Sequence, residues 1–365
     1  MVIAHFVNND GGVGTVVKNL ANKQIEDGNV VYVFTTDIDF SFLKKLEKNI
    51  IIKKVNKNYK LPPMAFGNNI YKAFRYLKLQ YPNEKIVLHA HNFLTVGVFS
   101  RIKKLPLVCT IHGISSINRE KSLRKSIQEL AISYIIRKMK RNKQQIVGVS
   151  EHTSKYYGKI SNRKIITIYN GTSNLLPSKA NKKEFVFSHL GDISVNKGWD
   201  KEIEAYSMLR KKYKERNIKF YYAGKICHMS DTDIKNKVNE CGLEENDTKY
   251  LGFINNIQDE LLRYTDVMLL ISKSEGLPMT LVESQEMGIP IIATPVGGVP
   301  EIVEDNINGF IVEPDIEEIY KKMEVLLLDK EKYIDMCKNS KKQFNKKFKL
   351  ELMTKKYYDI YNLFD

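Results

Sequence analysis

The residues best placed to do chemistry lie between Ser272 and Glu301, in the run SKSEGLPMTLVESQEMGIPIIATPVGGVPE. Gly276 and Pro278 break the backbone after the apolar stretch Val267 to Ile271, so a strand is expected to end there and a helix to start near Met279. Gly288 and Pro290 should stop that helix after about two turns. Glu275 then sits in the loop at the carboxyl edge of the strand, and Glu283 lies within the helix. The helix start between them offers free N–H groups and a positive dipole end, which suit a phosphate, whereas carboxylates suit hydroxyl donors. A ligand carrying both phosphate and sugar fits these two carboxylates and the turn between them.

Other stretches have the form needed to position such a site. The chain opens with VIAHFV, followed by Asn8-Asn9-Asp10-Gly11-Gly12-Val13-Gly14 and a helical pattern from about Thr15 to Asp27. Strand, Gly-rich turn and helix start make a phosphate or ligand cradle, although the spacing matches neither the dinucleotide fingerprint nor the P-loop. Strand-like runs recur at Val30 to Phe34, Ile50 to Val55, Ile86 to His89, Leu107 to Ile111, Ile146 to Val149 and Ile165 to Tyr169. Helical patterns separate several of them, and this alternation predicts a doubly wound parallel sheet. His89 and His91 flank the end of one strand, and His112 follows another, where side chains leaving a parallel sheet point toward bound ligands. After a Ser-, Asn- and Pro-containing linker at Thr172 to Lys183, the pattern repeats. Phe185 to Leu190 leads into Gly191-Asp192-Ile193 and Lys197-Gly198, with further strands expected at Phe220 to Gly224 and Tyr250 to Phe253 and helix from Val312 onward. Lys197 is placed to meet a diphosphate as a point charge.

Composition narrows the class. The 365 residues suffice for two domains of ordinary size. No apolar run is long enough to cross a membrane, and the first residues lack a basic-then-apolar leader, so a cytoplasmic protein is expected. Cys109, Cys227, Cys241 and Cys337 are widely spaced and fit no zinc pattern, so reduced thiols and no metal site are expected. Charge is uneven. Residues 1–180 carry 30 Lys and Arg against 10 Asp and Glu, residues 181–365 carry 28 against 32. A helix expected from Asn118 to Gln145 places Leu123, Ile127, Leu130, Ala131, Tyr134 and Ile135 on an apolar face. It crowds Lys121, Arg124, Lys125, Arg137, Lys138, Lys140, Arg141 and Lys143 around the rest. The apolar stripe reads as core and the basic remainder as a contact for anionic lipid at the inner face of the cell membrane. Nothing resembles a nucleic-acid module, so no nucleic-acid partner is expected.

The run from Glu275 through Glu301 resembles the E-x7-E region of the GT-B retaining glycosyltransferases of family 4 (glycosyl transferases group 1). That resemblance extends over almost the whole chain. It implies two Rossmann-like domains facing a cleft, an α/β architecture with an acceptor domain at 1–174, a donor domain at 175–345, and a helix at 346–365 crossing back to the first domain. By the resemblance, Glu275 contacts the donor sugar and Glu283 the ribose, in a pocket with Gly276, Leu277, Pro278, Met279 and Thr280. Gly11, Gly12 and Val13 approach the donor's phosphate and sugar. Gly224, Phe253 and Ile254 lie at the base, and Lys197 at the diphosphate. His112, at a T-x-H-G position, lies near the transferred sugar, with His91 and Asn170 as acceptor-side candidates. The implied donor is a nucleotide sugar, a UDP-sugar being favoured; the implied acceptor is lipid-linked or a polysaccharide; and no metal or other cofactor is required. One departure stands out: the family usually has Arg directly after the Gly at 191, and this chain has Asp192. A nucleotide-sugar epimerase of the same architecture and a catalytically silent membrane- or partner-binding subunit remain as alternatives.

Overall fold

The computed structural model describes residues 1–7, 11–35, 50–54, 62–91, 105–114, 130, 132–134, 136–137, 139, 143–173 and 180–364. The chain divides into two compact units, one of Met1–Thr172 with Phe348–Asp365 and one of Ser173–Lys347.

The first unit is built on seven parallel strands: β1 Val2–Val7, β2 Val30–Thr35, β3 Ile50–Lys54, β4 Ile86–Ala90, β5 Leu107–Ile111, β6 Gln144–Gly148 and β7 Ile166–Thr167. Their order is β3-β2-β1-β4-β5-β6-β7. The chain thus builds outward from β1 in one direction and from β4 in the other, and the reversal between them is where such sheets bind ligands. Burial on both faces explains the composition: all six residues of β1 are buried, His5 included, as expected for a central parallel strand covered by helices on either side. The helix Gly12–Glu26 follows β1 directly. It starts at Gly12, three residues before the expected Thr15, so Gly12 and Val13 form its first turn.

The last helix, Leu350–Tyr361, belongs to this first unit. Its entry is pinned by reciprocal backbone bonds, Thr172 N–H to Phe348 O at 3.1 Å and Leu350 N–H to Thr172 O at 3.1 Å. Gly171 is required beneath that crossing, because a Cβ there would lie 2.7 Å from the Lys349 carbonyl oxygen. On the helix itself, Tyr358 Oη accepts from Asn29 Nδ2 and donates to Asp27, each at 3.0 Å.

The second unit carries six parallel strands, β8 Phe185–Leu190, β9 Ile218–Ala223, β10 Thr248–Tyr250, β11 Val267–Leu270, β12 Ile291–Ala293 and β13 Gly309–Ile311, in the order β10-β9-β8-β11-β12-β13. Here the reversal falls between β8 and β11. Phe187, Trp199, Tyr206, Phe220 and Phe310 fill the core and are almost fully buried. Each such side chain contributes on the order of 2 kcal/mol of burial energy.

The structure revises four local expectations. Gln144 and Gln145 are strand, not the end of a helix; Gln144 pairs with Leu107, and ladder pairing with β5 outweighs two residues of poor strand preference. Among the described residues of the preceding helical segment the buried apolar side chains are Ile132, Ile136 and Met139, whereas Leu130 and Tyr134, expected in the core, are 70% and 64% exposed. The inward face is therefore rotated from the expected one. Of the basic residues there, only Arg137 and Lys143 fall among the described residues. β10 ends at Tyr250, and Gly252 turns the chain with φ +69°, so Phe253 and Ile254 lie in a loop beyond the strand. Beyond Val312 the chain is three helices, Ile316–Leu328, Lys330–Lys347 and Leu350–Tyr361, broken at Asp329 and at Phe348-Lys349.

Candidate active site

In the second unit, two loops leave the carboxyl ends of the strands at the reversal, Gly191–Gly198 after β8 and Ile271–Pro278 after β11. They are fastened to each other. Lys273 N–H donates to Asn196 O at 2.9 Å, and a Cβ on Gly198, which has φ +79°, would come within 2.1 Å of Ile271 O. This approach brings Lys197 Nζ to 2.7 Å from Glu275 Oε1. Ser272 Oγ donates to the same oxygen at 2.7 Å. Glu275 is 9% exposed and Lys197 30%, so the pair is sheltered at its acidic end and open at its basic end. The two residues singled out separately in the sequence are one ion pair.

The Glu275 backbone is held from behind. Gly298 N–H donates to Gly276 O at 2.8 Å, and Gly297, at φ +59°, approaches so closely that a Cβ would lie 1.9 Å from Glu275 O. Pro278 stands at the N-cap of the helix Met279–Glu286 and accepts from the Leu281 and Val282 amides, which leaves the amides of Met279 and Thr280 at the helix opening. Thr280 Oγ1 donates to Leu190 O at 3.1 Å and anchors the helix start against the end of β8. Leu277 and Met279 are buried. Glu283, one turn on, is 6% exposed, and burial, reinforced by the neighbouring Glu286, pushes its carboxyl up to about 8.

The remaining donor-side candidates form the adjoining edge. Gly224 donates its N–H to Gly252 O at 2.8 Å and lies so near Gly191 that a Cβ would meet the Gly191 oxygen at 1.7 Å. Ile254 is buried, while Phe253 is 60% exposed with Lys225 Nζ 5.0 Å from its ring centroid. Asp192, the residue that departs from the usual pattern, is exposed, and the Cys227 thiol has its pKa raised by burial and then by the Asp192 charge.

In the first unit, His91 and His112 follow β4 and β5 and are hydrogen-bonded to each other, His91 Nδ1 to His112 Nε2 at 3.1 Å. His91 Nε2 lies 2.9 Å from His5 Nδ1, and His5 Nε2 lies 2.7 Å from Gln24 Oε1. Burial drives His5 and His112 down to about 4 and holds His89 and His91 well below the usual range, so all four rings are neutral at physiological pH. Nitrogens of His5, His89 and His91 lie within 4.8 Å of one another, a cluster not anticipated from the sequence. Each nitrogen already has a partner: those of His89 contact Tyr361 Oη and Thr110 Oγ1, both at 2.7 Å. Gly11 and Gly12 are exposed at the start of their helix, and Val13 is half-buried. Asn8, Asn9 and Asp10 lie outside the described residues. Asn170 is buried, and its Oδ1 has no partner among the described residues.

Each unit thus carries a strand-order reversal, and that of the second has glycine-lined loops with a Lys–Glu pair at a helix start; two such parallel α/β units make a GT-B scaffold. Residues 174–343 match the family Glycosyl transferases group 1 and residues 10–173 match Glycosyltransferase Family 4; the chain belongs to the group 1 glycosyltransferases. Among its relatives is the N-acetyl-alpha-D-glucosaminyl L-malate synthase of Bacillus anthracis, 23% identical over 96% of this chain and 93% of that protein. Another is the capsular polysaccharide biosynthesis glycosyltransferase CapM of Staphylococcus aureus, 25% identical over 53% of this chain and 50% of that one. The fold matches the crystal structure of Anabaena HepE in complex with UDP and glucose, with a TM-score of 0.76, 16% identity and 98% of each chain covered.

Proposed function

We propose that this glycosyltransferase is a retaining enzyme that moves a sugar from a UDP-sugar to a hydroxyl of a lipid-linked or polysaccharide acceptor. The observation that carries the reading is the 2.7 Å contact between Lys197 Nζ and Glu275 Oε1 beside the start of the helix Met279–Glu286. A cation and a set of free amides serve the diphosphate there, and the adjacent carboxylate serves sugar hydroxyls. UDP as the nucleotide draws support from the HepE complex, and a polysaccharide acceptor from the name of the CapM relative.

Retention in glycosidases usually employs a carboxylate nucleophile about 5 Å from a second carboxylate. Glu275 is already committed to Lys197 and Ser272, which suits it to orienting a sugar rather than attacking it. In the proposed front-face substitution, the bond from the anomeric carbon to the diphosphate breaks as the acceptor oxygen bonds on the same face. The departing diphosphate takes the acceptor proton. Lys197 and the helix amides stabilise the charge that develops on it, and no metal is needed for that step. The basic first half of the chain fits an enzyme that works against anionic lipid at the inner face of the cell membrane.

Incubating the purified protein with radiolabelled UDP-sugars and membrane lipid extracts tests the reading. Transfer with retained anomeric configuration is expected; an inverted product, or no transfer from any donor sugar, would reject it.

A further inference from the structure

The histidine contacts of the first unit form one continuous chain, and its hydrogen-bond polarity can be worked out atom by atom. Gln24 Oε1 can only accept, so His5 Nε2 carries a proton. A neutral imidazole has one N–H, so His5 Nδ1 is bare and must accept from His91 Nε2 at 2.9 Å. His91 Nδ1 is then bare in its turn and accepts from His112 Nε2 at 3.1 Å. The last nitrogen, His112 Nδ1, keeps its lone pair. Among the described residues it has no hydrogen-bond partner, and His112 is the one ring of the four that retains partial exposure.

The other end of the chain is anchored as firmly. Gln24 Nε2 donates to Tyr361 Oη at 3.3 Å, and the Tyr361 hydroxyl lies 2.7 Å from His89 Nδ1, to which it can donate. His89 Nε2 contacts Thr110 Oγ1, and Thr110 Oγ1 contacts Tyr357 Oη at 2.9 Å. Both branches start at one amide; in the ring branch every bond has a donor and an acceptor only if all three share one direction, whereas the hydroxyls of the other branch can each accept twice and so do not fix its direction. Turning the Gln24 amide over would require His5, His91 and His112 to change tautomer together.

We propose that Gln24, His5 and His91 are positioning residues that fix His112 with its proton on Nε2 and its lone pair on Nδ1. On the reading of the protein as a glycosyltransferase, this presents His112 to a substrate hydroxyl as an acceptor and bars it from donating to a phosphate oxygen. Tyr361 of the last helix accepts from the Gln24 amide at the start of the chain.

The test is nitrogen-15 NMR of histidine-labelled full-length protein without substrate, each ring assigned from the signal lost in its single substitution. Wild type should show pyrrole-type Nε2 and pyridine-type Nδ1 for His5, His91 and His112. Gln24→Glu, which keeps an acceptor beside His5, should preserve that pattern. Gln24→Met removes the acceptor and should leave His112 as a mixture of tautomers. A proton on His112 Nδ1 in the wild type or in Gln24→Glu would overturn the proposal, as would an unchanged single tautomer in folded Gln24→Met. Should Gln24→Met fail to fold, the wild type and Gln24→Glu still decide. No donor sugar is involved, so this result and the outcome of the transfer assay stand independently.

Discussion

Lys197 Nζ and Glu275 Oε1 lie 2.7 Å apart although 78 positions separate them, and the loops that carry them are joined by the Lys273 to Asn196 backbone bond. On the proposed reading, a phosphate arriving at this helix start would compete with Glu275 for the lysine, and a sugar hydroxyl would compete with the lysine for the carboxylate. The pair would then hold both side chains in place before the donor arrives, and each part of the donor would replace one contact of it.

Substitutions at the two positions should consequently be non-additive. Lys197→Met and Glu275→Gln should each lower kcat/KM about a hundredfold, the scale of deleting one preorganised charge-stabilising group. The double variant should lose far less than the product, with a coupling of about 1 to 3 kcal/mol. Steady-state kinetics on the four proteins measures it; additive losses would show that the pair breaks before it matters to the reaction.

Glu283 makes a prediction about pH. Its carboxyl is pushed up to about 8, largely by burial, so the folded state holds a proton that the unfolded chain releases at ordinary carboxylate pH. The group therefore favours the folded state at low pH and loses that contribution as pH rises from the ordinary value through about 8, by up to about 1.4 kcal/mol per unit. Glu283→Gln should flatten that slope, raising Tm relative to wild type more at pH 8.5 than at pH 5. Nucleotide binding that needs the ionised carboxylate to hold ribose hydroxyls should tighten over the same rise and lose this dependence in the variant. Parallel Tm-against-pH curves for the two proteins would refute the assignment.

How much of this was legible in the sequence follows from the range over which each interaction acts. The Ser272–Glu301 run announced its loop, helix and strand because Gly276, Pro278, Gly288 and Pro290 act locally on the backbone, and the helix does occupy Met279–Glu286. The alternation of runs gave two parallel sheets for the same reason. What pattern could not supply were pairings made across the sheet. His189 Nδ1 lies 2.7 Å from Glu202 Oε2, and Glu202 Oε1 accepts the Ile271 amide at 3.0 Å, which ties β8 to the exit of β11. Neither residue looks unusual in sequence. The His5–His91–His112 chain was equally hidden, since β1, β4 and β5 become neighbours only through the strand order. The rotated face at Ile132, Ile136 and Met139 has a related cause. Two apolar stripes overlap in that segment, and neighbouring elements select one; Arg163, for example, donates to Ile136 O and Met139 O.

Gly297 offers a test of the support behind Glu275. Gly297→Ala adds a Cβ 1.9 Å from the Glu275 carbonyl oxygen at a position with φ +59°. Gly28, at φ +83°, has nothing within 4 Å of the same addition. Left-handed strain alone costs about 1 to 2 kcal/mol, so Gly28→Ala should lose that amount. Gly297→Ala should lose more, and it alone should weaken UDP-sugar binding, because only its clash displaces a residue of the site. Thermal unfolding and donor titration separate the two effects; equal stability losses with donor binding intact would mean that the loop yields without moving Glu275.

The basic segment near the end of the helical stretch makes the remaining prediction. Arg137 is a poor probe of membrane attachment, because its Nε donates to Ser161 O at 3.1 Å and reversing it would disturb the first unit's packing. Lys138, Lys140 and Arg141 lie outside the described residues, and reversing those three to Glu isolates the charge effect. Each cation near an anionic surface contributes roughly 1 kcal/mol, so three reversals should remove most electrostatic attachment at physiological salt. Wild type should sediment with vesicles containing acidic lipid, and the bound fraction should fall steeply as salt shortens the screening length to about 8 Å and below. The triple variant should stay in the supernatant and use a lipid-linked acceptor poorly, while transfer to a short soluble acceptor persists. Wild type that ignores acidic vesicles at low salt, or a triple variant that binds them undiminished, would assign the excess charge of residues 1–180 to solvation alone.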